Sequence, residues 1–145
     1  MRIGFGYDVH TFAPDRELWI GVAMADVLIH AICDALLGAA GLRDIGYHFP
    51  DTAGEYAGID SKILLSRTMR LLRDAGYELG NIDATVVAEQ PKLNPHIPDM
   101  QRTMADVMGV PTADISIKAT TSERMGFVGR REGIAAYAVA LIVPR

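Results

Sequence analysis

The chain of 145 residues contains a single cysteine, Cys33, so no internal disulfide can form, and a reducing compartment is expected. It lacks any basic run or basic patch interleaved with aromatics, and its net charge is −4, which argues against a nucleic-acid partner. No apolar stretch approaches the ~20 residues of a membrane helix. The opening "MRIGFG" is too short and glycine-rich for the apolar core of a signal peptide. A cytoplasmic protein with neither membrane nor nucleic acid as partner is the expectation. Repeats, low-complexity tracts and linkers are also missing, so residues 1–145 read as one domain. Histidine is scarce as well: His10, His30, His48 and His96 are all there are.

What is present falls into periodic segments. Arg2 to Val9 reads as a first strand and Glu17 to Val22 as a short second one. "ADVLIHAICDALLGAAGL", Ala25 to Leu42, carries an apolar helical face through Val27, Ile29, Ile32, Leu36 and Leu37, with Gly41 marking its end. Asp60 is placed to cap a second helix that closes at Gly76. "NIDATVVAE" alternates as a strand, Asn94 and Pro95 open a third helix running to about Gly109, and "DISIKATT" is another strand. The last strand, "GIAAYAVALIVP", is apolar on both sides, so both sheet faces are expected to be buried. With few helices to cover them, self-association is the natural solution.

Four clusters carry candidate chemistry. In a strand, Asp8 and His10 project to the same face, which makes half of a metal site, half of an acid–base pair, or an aspartate that only orients its neighbour. His30 sits in an otherwise apolar helix with Asp34 four residues on, a carboxylate able to fix its tautomer. Packed on the first strand, His30 completes two imidazoles and a carboxylate, a zinc set with an open fourth position; otherwise it is a core histidine. In "ATTSERMGFVGR", hydroxyls and backbone amides suit phosphate oxygens, Glu123 a hard cation and Arg130 an anion, against the plainer reading of a polar turn. In "DIGYHFPDT", Asp44 suits sugar hydroxyls and Phe49 with Pro50 an apolar wall, or the segment is an ordinary loop. In "AEQPKLNPH", Lys92 and free amides at a helix start suit a base or phosphate, or simply connect strand to helix. His48 and His96 receive no role.

The pieces "RIGFGYDVHTF", "DVLIHAICDALLGAAGLRDIGYHFPDT", "GNIDATVVAEQPKLNPHIPDM" and "IKATTSERMGFVGRREGIA" cover nearly the whole chain. Together they closely resemble the 2-C-methyl-D-erythritol 2,4-cyclodiphosphate synthase family. The resemblance implies an enzyme of the non-mevalonate isoprenoid route. In it the substrate's own 2-phosphate attacks the β-phosphorus of its cytidyl diphosphate, releasing CMP and a cyclic diphosphate. The implied fold is α+β: a mixed β-sheet with helices on one face, a ferredoxin-like sandwich assembling as a homotrimer through the sheets.

Carried over by resemblance, Asp8, His10 and His30 hold one Zn²⁺ per subunit, with Asp8 and His10 also at the substrate. Glu123 serves a second cation, Mg²⁺ or Mn²⁺, on the substrate diphosphate, and Thr121 stabilises charge developing on the phosphates. Asp44, Ile45 and Gly46 match the ribose side. Phe49, Pro50, Asp51, Thr52 and Ala53 match the loop against the methylerythritol part. Ala88, Glu89, Gln90, Pro91, Lys92, Leu93 and Asn94, with Thr120, Thr121 and Ser122, match the cytosine and phosphate pocket offered to a neighbouring subunit. Phe127 and Arg130 match residues near the trimer axis, where the family can hold an isoprenoid diphosphate.

One departure stands out. The family carries roughly a dozen further residues between the second strand and the first helix, ending in a His-Ser pair, and that lid is shortened or omitted here at about residues 22–25. The missing pair supports one alternative, a non-catalytic trimeric zinc protein that binds a nucleotide or isoprenoid diphosphate. A phosphohydrolase that admits water is another.

Overall fold

The computed structural model describes residues 1–11, 17–56 and 58–145, with the backbone alone for 17–23. Its elements run β1 (Arg2–Thr11), α1 (Glu17–Ala39), α2 (Ile45–His48), α3 (Ser61–Asp74), β2 (Tyr77–Val87), α4 (Ile97–Met108), β3 (Ile115–Thr120), α5 (Gly126–Gly129) and β4 (Gly133–Pro144). The four strands form one mixed sheet in the order β1-β4-β2-β3. β4 runs antiparallel to both β1 and β2, whereas β2 and β3 are parallel. The fold is therefore α+β, with its helices packed on one sheet face.

The inner face is built in rows across the strands. Gly4, Ala140, Ile82 and Ile115 form one row, and Gly6, Ala138, Ala84 and Ile117 the next. All eight are buried, and α1 lies over them, with Val27, Leu28, Ala31, Ile32, Ala35 and Leu36 fully enclosed. A helix buried on nearly every side reads as apolar nearly all round, and α1 departs from that only in a narrow line of half-buried polar residues, Asp26, His30 and Asp34, spaced four apart. α3 and α4 complete the layer through Leu65, Met69, Leu72, Met104 and Met108.

The outer face is different. Ile3, Phe5, Tyr7 and Val9 of β1 and Tyr137 and Val139 of β4 are exposed, and Tyr137 touches Phe5 and Tyr7 at ring-centroid distances of 6.4 and 5.2 Å. The expectation that both faces of β4 are buried thus holds for the helix side; among the described residues nothing covers the other side.

Two local expectations are corrected. Residues 17–22 are helical, not a second strand: α1 runs without interruption from Glu17 to Ala39. With no connecting loop there, a strand would have no room to turn, and Ala23, Met24 and Ala25 favour continued helix. Asn94 does not cap the third helix: Asn94–His96 is a 3₁₀ turn, and α4 starts at Ile97 without a side-chain cap. Pro98, early in α4, lacks the N–H that such a cap would satisfy. Asp60 does cap α3, accepting from the Lys62 amide, and Gly41, Gly76 and Gly109 each take the left-handed backbone that ends a helix. Among the described residues no helix is long and apolar enough to cross a membrane.

Candidate functional site

The site begins with two glycines. A Cβ on Gly4 would lie 1.9 Å from the Ala35 carbonyl oxygen, and one on Gly6 would lie 1.8 Å from that of Ala31. Only glycine at both positions lets the backbone of α1 press onto β1. Residues 4, 6, 8 and 10 share one face of the strand, so the pair after the glycines points the same way, toward the helix. There Asp8 and His10 meet His30.

The Asp8 Oδ2 lies 3.0 Å from His10 Nε2 and 3.2 Å from His30 Nδ1, and the two rings meet edge to face at 5.4 Å. One donor atom from each residue falls within 4.8 Å of the other two. All three are half-buried. Burial pushes the Asp8 carboxyl up, but its hydrogen bonds to His10 and His30 outweigh this and hold it at about 2. The hydrogen bond that His10 donates to the Asp8 carboxylate raises His10 above its ordinary value, against partial burial. Two imidazoles and a carboxylate, partly solvent-facing and with three convergent donor atoms, fit a borderline divalent metal with a coordination position to spare. The chemistry of the donor set therefore suits zinc.

Asp34 does not orient His30. Its carboxylate accepts from the Ile45 amide at 2.9 Å and so ties the start of α2 to α1. Asp44 caps the same turn, accepting from the Tyr47 amide at 2.9 Å, and is exposed. Ile45 is half-buried and Gly46 exposed. His48 Nε2 reaches the Leu42 carbonyl at 2.6 Å, which gives a histidine without a predicted role the task of pinning the loop. Phe49 is buried edge-on against Tyr56, 5.6 Å away. Pro50, Asp51, Thr52 and Ala53 follow it in a surface turn. Asp26, one turn before His30, accepts from the buried Ser61 hydroxyl at 2.6 Å and joins the helix bearing His30 to the start of α3.

The third and fourth clusters meet each other. β2 and β3 run parallel, so the segments after them leave the same end of the sheet, and the Ala88 amide still pairs with the Thr120 carbonyl. Glu89 Oε1 accepts from the Ser122 amide at 3.0 Å, the Ser122 hydroxyl at 3.0 Å and the Arg124 amide at 3.2 Å. The Glu123 amide points at Thr121 Oγ1, 3.2 Å away. Burial opposes ionisation of Glu89, but the Arg124 and Ser122 donors prevail and lower its carboxyl below the usual range. The amides expected to cradle phosphate are thus engaged by the chain itself. Thr120, Thr121 and the Glu123 side chain remain exposed, as do Gln90, Pro91, Lys92 and Asn94, while Ala88 and Leu93 are buried. Phe127 and Arg130 lie on the surface of the α5 turn, Arg130 paired with Glu132.

Within one chain the two halves stay apart. β1 and β3 are opposite edges of the sheet, separated by three strand spacings or roughly 14 Å. Both end at the same side, so Asp8 and His10 face one edge and the Thr120–Arg130 segment the other.

A family profile described as the YgbB family matches residues 1–143. A Parabacteroides distasonis protein named 2-C-methyl-D-erythritol 2,4-cyclodiphosphate synthase is 70% identical over 154 residues, covering 98% of this chain and 96% of the relative. The chain belongs to this synthase family. A Bacteroides fragilis synthase is 59% identical across 98% of the chain and 97% of its own length. Among solved structures, the synthase in a CDP-bound form matches with a TM-score of 0.86 at 31% identity, covering 98% of this chain and all of the other. The bifunctional IspDF of Campylobacter jejuni matches with a TM-score of 0.91 at 36% identity. There the alignment takes in 99% of this chain but 42% of the longer bifunctional one. The alignment with the Parabacteroides synthase spans 154 residues and takes in 98% of a 145-residue chain, so that relative of the family carries about a dozen residues more.

Proposed function

We infer that this chain converts 4-diphosphocytidyl-2-C-methyl-D-erythritol 2-phosphate into 2-C-methyl-D-erythritol 2,4-cyclodiphosphate and CMP. The observation that carries the reading is the convergence of Asp8, His10 and His30 in a chain 70% identical to a synthase of that name. A 2-phosphate oxygen forms a bond to the β-phosphorus while the bond from that phosphorus to the bridging oxygen breaks, and the bridging oxygen leaves with CMP. Both reacting groups are anions, so their repulsion dominates the barrier, and no protein nucleophile is required.

Asp8, His10 and His30 would hold one Zn²⁺ per subunit, and Glu123 a Mg²⁺ or Mn²⁺ on the diphosphate. When bound, these cations supply positive charge to the two phosphates. The chain's own residues do the rest. Thr121, exposed beside Glu123, donates a hydroxyl to the phosphates, with Thr120 and Ser122 on the same segment. Asp44, with Ile45 and Gly46, receives the ribose, and Phe49 to Ala53 border the methylerythritol portion. Ala88 to Asn94 line the cytosine end. Holding the two phosphates in line converts the attack into a well-oriented intramolecular one, worth about 7–11 kcal/mol.

The assembly proposed is a homotrimer whose sites lie between subunits. Two observations support it: the apolar outer face of β1 and β4 lacks a cover among the described residues, and the Asp8 and Glu123 clusters sit on opposite sheet edges. Phe127 and Arg130 would then face the axis, where an isoprenoid diphosphate fits an arginine and an aromatic ring. The residues that the Parabacteroides relative carries in excess are assigned to the lid at about 22–25. We place the enzyme in the cytoplasm, in keeping with its single cysteine.

Phosphorus NMR of the cytidyl substrate incubated with the protein, zinc and magnesium tests the reading. It predicts CMP together with a cyclic diphosphate. CMP with a linear product would indicate hydrolysis, and ligand binding without CMP release would indicate the non-catalytic alternative.

A further inference from the structure

We propose that Glu89 is a positioning residue, a carboxylate clamp reaching from the end of β2 that fixes the backbone of residues 122–124 and thereby aims the Glu123 side chain. The inference rests on the reading of Glu123 as the residue that serves the cation on the diphosphate. It gives Glu89 a task within its own subunit, distinct from contact with the nucleotide.

The segment has a conformational problem. Glu123 and Arg124 stand in succession at φ 55° and 62°, both left-handed and neither a glycine. Side-chain-bearing residues rarely hold that backbone twice in a row unless the surroundings impose it. The turn also brings the Ser122 and Arg124 amides toward one point, a pair of N–H donors that calls for a negative charge. Glu89 supplies that charge from the neighbouring strand. One oxygen, Oε1, takes the amides on either side of Glu123, those of Ser122 and Arg124, together with the Ser122 hydroxyl. The remaining amide, that of Glu123, is directed at Thr121 Oγ1. Ser122 Oγ also lies 2.7 Å from the Met125 carbonyl, so its single proton is shared in turn between Glu89 and the start of α5.

Packing reinforces the same shape. A Cβ on Gly129 would lie 2.2 Å from the Arg124 carbonyl carbon, so α5 closes directly onto the left-handed turn. With its amides engaged on both sides, Glu123 has its backbone set and its carboxylate left exposed at the surface. Thr121 is fixed by the same interactions. The two side chains assigned to phosphate and cation therefore depend on a third that need touch neither.

The test compares Glu89→Ala, Glu89→Gln and the double variant Glu89→Ala with Arg124→Gly, using the full chain. Amide hydrogen exchange reads the clamp itself, whatever the protein's activity. Exchange at Ser122 and Arg124 should accelerate at least tenfold in Glu89→Ala while the β2 and β3 amides stay protected. Unchanged exchange there would overturn the proposal. The magnesium concentration for half-maximal CMP release, measured alongside, should rise at least tenfold in Glu89→Ala and less in Glu89→Gln, which keeps an acceptor oxygen. It should fall back in the double variant, where glycine takes the left-handed backbone without help. A variant that loses CMP affinity but keeps its magnesium requirement would make Glu89 a nucleotide contact and refute the clamp. If exchange accelerates as expected but magnesium does not activate even the unmodified chain, the clamp stands and the role given to Glu123 falls.

Discussion

Gly6 and Ala31 approach so closely that no side chain fits between them: a Cβ on the glycine would sit 1.8 Å from the alanine carbonyl oxygen. That contact sets the distance between β1 and α1, and hence between Asp8 with His10 and His30. Gly6→Ala should push the helix away and cost about 3 kcal/mol, the upper part of the range for overpacking. Urea denaturation with the chain metal-free would measure it. Zinc affinity should fall by tenfold or more in the variant that remains folded, and an unchanged affinity would show that the site does not depend on this contact.

His30→Ala removes one of three donor atoms without touching the core, since the side chain is half-buried. The expected outcome is loss of stoichiometric zinc by elemental analysis, with unfolding free energy changed by about 1 kcal/mol or less. Retained zinc would count against the ligand set.

The pH dependence has two opposed signs. In the metal-free chain Asp8 is lowered from 3.8 to about 2, so its contribution to stability is present above 3.8 and is lost as pH falls toward 2. His10 is raised from 6.5, so its contribution is present below 6.5 and is lost as pH climbs through the raised value. Together they stabilise the metal-free chain most between 3.8 and 6.5. Zinc binding runs the other way, because His10 gives up its proton to coordinate. Affinity should drop about tenfold per pH unit below the raised His10 value. Titration of zinc from pH 5 to 8 would check this, and a flat profile would exclude His10 as a ligand.

How much of this was legible in the sequence differs by residue. Asp60, Gly41, Gly76 and Gly109 announced helix ends, because caps and left-handed backbone select residue types locally. Asp8 and His10 were legible because strand periodicity alone puts them on one face. The spacing of Gly4 and Gly6 ahead of them carried the same period, yet its meaning, close contact with α1, belongs to tertiary packing. Residues 17–22 misled because their composition favours a strand while their connection favours a helix. Asp34 misled because a neighbour at helical spacing is not a partner when a closer amide, that of Ile45, competes for it. The convergence of Glu89 on the 122–124 turn depends on the parallel pairing of β2 and β3, which no local pattern encodes.

The exposed outer face yields another prediction. Phe5→Lys with Tyr137→Lys places two charges on the proposed subunit contact, where the aromatic rings now lie 6.4 Å apart. Sedimentation velocity should shift from a trimer to a folded monomer, and CMP release should fall at least 100-fold because each site would lose its second half. An unaltered sedimentation coefficient would place the contact elsewhere.

The central claim is that Asp8, His10 and His30 grip one metal ion and leave room on it for phosphate. X-ray absorption at the zinc edge, on the zinc-loaded chain with and without CDP, measures this directly. The account predicts two imidazole nitrogens and a carboxylate oxygen throughout, plus one light ligand that changes when CDP is added. A shell closed by four protein ligands, indifferent to CDP, would contradict it.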